Sequence, residues 1–253
     1  STEEERIANV HFDLEVVNSD FIRPMRMNFR RRGRDLYCCF HCLLSQLAAL
    51  IFHTERKQLL FVKQFRPPVF VNVVRSLPEN KNKSLVFVNV VRSLPENKNK
   101  SLAEVRWENY PIENGCTVEL CAGLMDEPGK TPLEHMKKEI LEECGYRVDE
   151  SNIRPIRRYV TGISLSGAIQ HLFYVELDES MWEPKAGGGN EHEGEFIQNV
   201  FMDIGEAEAL LEKENLWIKV SPSWIKVSPS SFLFAISWWV LVSHPSVLSL
   251  FLS

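Results

Sequence analysis

The chain has 253 residues, with 29 Lys and Arg against 34 Asp and Glu and a formal net charge of -5. Hydrophobic residues make up 44% and charged residues 25%, which excludes a wholly disordered chain, a collagen-like chain and a polytopic membrane protein. The slight acidity gives no overall attraction to nucleic acid, and the length suits one large domain or two small ones.

The start is acidic, with Glu3, Glu4 and Glu5, so no signal peptide is expected there. Phe21–Phe29 alternates weakly and predicts a strand. The run Arg30, Arg31, Arg32 and Arg34, broken by Gly33, reads as a solvated hairpin tip rather than a nucleic-acid site. Tyr37–Gln46 holds Cys38, Cys39 and Cys42 around His41 and has no clear period. Six cysteines in this length do not make a disulfide framework. A zinc site needs four well-spaced ligands, and no second pair matches. Free thiols in a reducing, cytoplasmic setting are the expectation.

Leu47–His53 and Gln58–Gln64 are apolar runs around a polar tetrad, a hairpin signature. Pro67 and Pro68 end the second strand by removing ladder donors. Val69–Leu85 reads VFVNVVRSLPENKNKSL, and Val86–Leu102 repeats it letter for letter. Trp217–Ser223 reads WIKVSPS and is repeated at Trp224–Ser230. Repeat architectures share a core among three or more units, so both pairs read as local duplications with one surplus copy. VFVNVV has strand composition, and a spare copy would be an apolar strand at the surface, an aggregation hazard.

Cys116–Ala122 predicts a further strand by alternation. Thr131 then opens a helix: it is the N-cap, Pro132 takes the first position, and Glu134 closes a capping box. Leu133, Met136, Ile140, Leu141 and Cys144 form its apolar stripe, and Gly145 stops it. Ile153–Val160, His171–Leu177 and Phe196–Met202 predict strands, and Glu206–Asn215 a helix. Strands on both sides of an amphipathic helix argue for a mixed α/β layered domain.

Glu139, Glu142 and Glu143 lie at i, i+3 and i+4 and share one arc of that helix. Three carboxylates repel one another unless a cation sits among them, and a hard ion such as Mg2+ prefers such oxygens. The other reading is a solvated acidic face. Gly123–Tyr146 resembles the Nudix box, G-x5-E-x7-R-E-U-x-E-E-x-G-U with U a bulky apolar residue. Glu139, Ile140, Glu142, Glu143, Gly145 and Tyr146 fall in register. Lys138 stands in place of the Arg, Lys130 in place of the first Glu, and the spacing from Gly123 is one residue longer. Val62–Pro67 (VKQFRP), Thr117–Gly123 (TVELCAG) and Gly187–Glu195 (GGGNEHEGE) are similar to the UDP-sugar branch of that family. The likeness covers roughly residues 47–68 and 107–240.

The resemblance implies a Nudix-type α/β/α sandwich with a mixed sheet and a metal-binding helix. It implies Mg2+-dependent hydrolysis, with Mn2+ as the alternative ion, of the diphosphate bond of a nucleoside-diphosphate sugar. UDP-glucose would give UMP and glucose 1-phosphate; ADP-ribose or another nucleotide sugar is the alternative substrate. Glu139, Glu142 and Glu143 would be metal ligands, with Glu142 also catalytic. Glu193 would be the base, with Glu195 as alternative base or ligand, and Arg66 would hold a substrate phosphate. Gly187, Gly188 and Gly189 would let their loop close over substrate. A homodimer in the cytoplasm is implied, with no nucleic-acid partner.

The domain reading is an N-terminal segment 1–46 with a dimerisation role, a Nudix domain 47–242 carrying the duplicated insert 69–102, and a tail 243–253. After Lys226 no Lys, Arg, Asp or Glu follows, and Phe232–Val242 is densely apolar. A tail anchor is a rival there; His244, Pro245 and several serines weaken it, and the resemblance implies a closing, buried amphipathic helix near 231–242 instead. The rival to an enzyme is a non-catalytic Nudix-fold binding module. Against it stands the intact glutamate face, which a pure binder does not need.

Overall fold

Strand β1 (Ile22–Arg31) and strand β2 (Arg34–Leu43) pair antiparallel from Ile22 opposite Leu43 to Arg31 opposite Arg34. Arg30, Arg31 and Arg34 therefore lie at one end of the hairpin, where the composition predicts its tip. Arg30 donates to both carboxylate oxygens of exposed Asp35, at 2.7 and 2.9 Å. The cysteine-rich stretch without a period lies largely in β2. The structure is a computed structural model that describes residues 7, 10, 22–31, 34–77, 105–163, 166–190, 195–211, 217–220 and 223–227. The chain divides into two units, the first of residues 1–17, 65–117 and 217–226, the second of residues 18–64, 118–216 and 227–253.

Strands β3 (Gln46–His53) and β4 (Gln58–Phe65) form the expected hairpin, with Ile51 opposite Leu60. The chain then enters the first unit as helix α1 (Pro67–Ser76). Here the strand expectation for VFVNVV is corrected, because the first copy is helical. Pro67 and Pro68 occupy the first turn, where their missing amides cost nothing. Phe70 and Val74, one turn apart, are buried with Val105 and Trp107, and the Phe70 and Trp107 rings lie 6.0 Å apart. Helix formation costs each valine at most about 0.7 kcal/mol against alanine. Burying one large apolar side chain returns about 1.5–3 kcal/mol, so packing overrides the local preference. The second copy, 86–102, lies outside the described residues.

One strand is expected over Cys116–Ala122, but the chain forms two, β5 (Cys116–Glu119) and β6 (Cys121–Leu124), broken at buried Leu120. The break redirects β6 onto β3, with Ala49 opposite Cys121 and Leu47 opposite Gly123. Helix α2 (Pro132–Glu139) follows and runs on through a π-helical turn at Ile140–Cys144. Strands β7 (Ile153–Thr161), β8 (Ala168–Leu177) and β9 (Gln198–Asp203) and helix α3 (Ile204–Leu211) follow in chain order. Strands β10 (Trp217–Val220) and β11 (Ser223–Val227) pair the two WIKVSPS copies with each other, Ile218 opposite Ile225.

Within the second unit the strands run β9–β4–β3–β8–β7, with β6 beside β4 on the same edge of β3. The pairing of β3 with β8 is parallel and the other pairings are antiparallel, so the sheet is mixed, as expected. On one face Leu47, Ala49 and Ile51 meet Leu60, Val62, Phe173, Val175 and Leu177, and α2 lays Met136, Ile140 and Cys144 on them. Ala48, Leu50, Leu59 and Phe61, which alternate to the other face, are also buried. The central strands are covered on both faces, which is why they read as nearly unbroken apolar runs.

Among the described residues no helix is long and apolar enough to cross a membrane. The proposed helix near 231–242 and residues 212–215 of the predicted helix Glu206–Asn215 lie outside the described residues.

Candidate active site

Helix α2 begins as its sequence predicts. The Thr131 hydroxyl accepts from the Glu134 amide at 3.2 Å, and the Glu134 carboxylate accepts from the Thr131 amide at 2.7 Å. Buried His135 ties the preceding loop to this start. Its Nε2 accepts from the Glu127 amide at 3.2 Å, so its Nδ1 is the protonated nitrogen and donates to the Thr131 carbonyl at 2.9 Å. Glu127 also pairs with Lys130 and, at 2.9 Å, with Lys138. Those two lysines hold its carboxyl down to about 2. The lysines that depart from the box pattern are thus partners of one carboxylate three residues before the first of them. Only the nearness of opposite charges along the chain could have signalled this pairing.

The three helix glutamates have different surroundings. Glu143 is almost fully buried, and its carboxylate accepts from the Ala122 amide at 3.0 Å. Glu142 is partly exposed, 3.7 Å from Lys138. Glu139 lies over β6, where a Cβ built on Gly123 would land on its carboxyl. Burial, then the charges of Glu143 and Glu142, push the Glu139 carboxyl up to about 8, and Glu195 adds to the effect. Behind them the Cys121 thiol is pushed up by burial and by its hydrogen bond with Cys144, so it stays neutral.

The turn that ends α2 is capped from a distance. Gly145 takes the left-handed conformation at φ 79°, and its amide reaches the Leu141 carbonyl at 3.1 Å. The Gly189 amide donates to the Glu142 carbonyl at 2.9 Å and the Gly188 amide to the Glu143 carbonyl at 3.1 Å. The Asn199 side chain donates to the Cys144 carbonyl at 2.8 Å. These bonds satisfy carbonyls that any helix end leaves open. The backbones of Gly145 and Gly187 touch, and a Cβ on Gly187 would come within 3.0 Å of the Gly145 backbone. Through the Gly188 and Gly189 amides the glycine-rich run is tied to the glutamate turn.

That anchoring brings Glu195 into the field of Glu139. The Glu195 amide donates to the Asn190 carbonyl at 3.1 Å, and the Ile197 amide donates to the Gly188 carbonyl at 2.8 Å. Glu193 lies outside the described residues. Arg66 belongs to the first unit, where its carbonyl accepts from the Val69 and Phe70 amides at 2.9 and 3.0 Å and its amide donates to the Gly115 carbonyl at 2.8 Å.

The donor set is all carboxylate oxygen, which suits a hard divalent cation. A carboxyl raised to about 8 by burial and like charges is one that such a cation would favour in its ionised form. The side chains as placed do not converge: among the described residues no group of three or more His, Cys, Asp or Glu is arranged to hold a metal ion. Glu143 turns instead to the Ala122 amide and Glu142 toward Lys138.

No family model matches the chain. It is 31% identical over 246 residues to the uridine diphosphate glucose pyrophosphatase NUDT14 of Mus musculus, spanning 96% of this chain and 99% of that relative. It is 31% identical over 189 residues to the protein of the same name from Bos taurus, spanning 75% and 79%. A GDP-mannose pyrophosphatase of Cronobacter sakazakii is 22% identical over 200 residues, 79% of this chain and 76% of the relative. With the carboxylate helix and mixed sheet described above, the chain belongs to the Nudix hydrolases, in the family of the uridine diphosphate glucose pyrophosphatases.

Proposed function

We propose that this chain hydrolyses the diphosphate bond of a nucleoside-diphosphate sugar with Mg2+, UDP-glucose giving UMP and glucose 1-phosphate. The observation that carries the reading is the run of Glu139, Glu142 and Glu143 on α2 and its π-helical turn, with Glu139 raised to about 8 by burial and by the charges of Glu143, Glu142 and Glu195. The names of the similar proteins support a nucleotide-sugar substrate. GDP-mannose is the second substrate to examine, on the similarity to GDP-mannose pyrophosphatase, and ADP-ribose the third.

Glu139, Glu142 and Glu143 would hold the ion, which when bound neutralises the diphosphate and polarises a phosphoryl oxygen. Buried Glu143 is oriented by the Ala122 amide, and the glycine loop fixes the turn that carries Glu142 and Glu143. Glu193, with Glu195 as the alternative, would take a proton from the attacking water. The water oxygen bonds to one phosphorus as the bridging P–O bond breaks, and the bridging oxygen leaves on the other phosphate. Positioning and charge neutralisation supply most of such a rate gain. Arg66 as a phosphate contact belongs to the same proposal. So does a cytoplasmic homodimer. Met25 and Met27, about half exposed on one face of the β1–β2 hairpin, support an assembly role, because a lone two-stranded ribbon is marginal in water.

The test is product chromatography after incubation with UDP-glucose, GDP-mannose or ADP-ribose, with and without Mg2+. UMP and glucose 1-phosphate formed only with the ion, and lost in Glu142→Gln/Glu143→Gln, is the expected result. Turnover unchanged in the double variant would refute the metal assignment. A well-folded protein that leaves all three substrates intact would turn the reading to a binding module.

A further inference from the structure

Strand register places a second polar group on the face of the sheet that carries α2. Leu47 of β3 lies opposite Gly123 of β6 on one side and His171 of β8 on the other. His171 lies opposite Arg158 of β7. Gly123, Leu47, His171 and Arg158 therefore form one row across four strands. Their side chains share a face. Leu47 and Phe173, two residues beyond His171, are both in the core under α2, and a Cβ on Gly123 would point at Glu139. At about 4.8 Å per strand, the Arg158 and Gly123 backbones are about 14 Å apart.

A β-bulge decides which arginine faces this way. Ile153, Arg154 and Pro155 pair with Val175, Tyr174 and Phe173, then the register shifts so that Arg157 pairs with Leu172 and Arg158 with His171. Unbroken alternation would have set Arg157 opposite His171. The extra residue turns Arg157 to the opposite face, beside Arg154, and leaves Arg158 on the face of the glutamates. Bulges commonly re-aim side chains beside active sites.

The apolar core stops one step before this row on β8. Phe173 is buried, His171 is half-buried and Arg158 is exposed. Burial, then the charge of Arg158, holds the His171 pKa below its ordinary value, so a neutral imidazole stands beside a permanent cation. The row ends at the Glu139 carboxyl, which lies over Gly123, and Leu47, between Gly123 and His171, is buried. Lys138, the cation next to Glu142, is occupied by Glu127. A guanidinium fork matches phosphate oxygens bidentately.

We propose that Arg158, supported by His171, forms the subsite for the substrate phosphate farther from the metal-binding glutamates. The inference rests on the nucleotide-sugar reading above and adds the residues that would hold the second phosphate. His171 would donate to the same phosphate and keep Arg158 directed across the row.

The experiment measures steady-state kinetics with UDP-glucose and calorimetric binding of UDP, both with Mg2+. The wild type is compared with Arg158→Gln, Arg158→Lys, His171→Asn and the control Arg157→Gln. Losing one charged phosphate contact should raise KM and the UDP Kd about tenfold or more. The value of kcat should stay within about threefold, the pattern of lost uniform binding. Arg158→Lys should fall between, His171→Asn should show a smaller rise, and Arg157→Gln should match the wild type. Arg158 is exposed, and an unchanged melting temperature confirms folded variants. Active wild type with the same KM and UDP affinity in Arg158→Gln would overturn the subsite and leave the hydrolase reading standing. An equal loss in Arg157→Gln would also overturn it, since a general charge effect would then explain both. Inactive wild type that binds UDP through Arg158 would keep the subsite and remove the hydrolase reading. Neither binding nor turnover would remove both.

Discussion

Gly123→Ala isolates the placement of one carboxylate from the stability of the fold. Gly123 does not need a left-handed backbone, so alanine brings no conformational strain there. Its Cβ would instead occupy the space of the Glu139 carboxyl and Cγ. Non-bonded carbons rest at about 3.5–4.0 Å, so the carboxyl must retreat by about 1 Å or more. The obstacle is the far end of a flexible side chain, and the half-buried carboxyl can swing outward. The stability cost should therefore stay at the low end of small-to-large core changes, about 1 kcal/mol. Displacing a catalytic group by about 1 Å can cost on the order of a hundredfold in rate. The expected result is a melting temperature within a few degrees of wild type and a fall in Mg2+-dependent UDP-glucose turnover of about 10- to 100-fold. Both follow from one thermal melt and one product assay. Turnover within about twofold of wild type, in a folded variant, would refute the claim that Glu139 must sit over Gly123 to act.

In metal-free protein the raised Glu139 carboxyl makes stability depend on pH. The folded group holds its proton up to about 8 against the ordinary 4.5 of a glutamate, so its favourable state is complete below about 4.5 and lost as pH rises through about 8. The full shift corresponds to about 5 kcal/mol, which solvent at a half-buried carboxyl cuts to about 1–3 kcal/mol. Urea unfolding between pH 5 and pH 9 should show this decline in the wild type and a flatter profile in Glu139→Gln; parallel profiles would contradict it. Asn199→Ala leaves the Cys144 carbonyl without its 2.8 Å donor and should cost about 1 kcal/mol in chemical unfolding. A loss below about 0.3 kcal/mol would mean that the distant cap contributes little.

The local chemistry of α2 was legible in the sequence. The capping box at Thr131 and Glu134, the stop at Gly145 and the shared arc of Glu139, Glu142 and Glu143 depend on residues within a turn or two of one another. The β3–β4 hairpin was legible for the same reason, since a short polar turn sets its own register. The tertiary structure decided what joins distant residues. VFVNVV became a helix because Phe70 and Val74 found Trp107 and Val105. Gly188 and Gly189 became caps for the glutamate turn, and Glu127 became the partner of both lysines. The parallel register of β3 with β8 and the bulge in β7 set His171 and Arg158 in line with Gly123. Parallel strands are joined by long connections that leave no local signal of register, and one inserted residue reverses which side chain faces the core. Locally specified features such as the α2 caps and its carboxylates were therefore readable from neighbouring residues, whereas the folded sheet set which distant groups share their face.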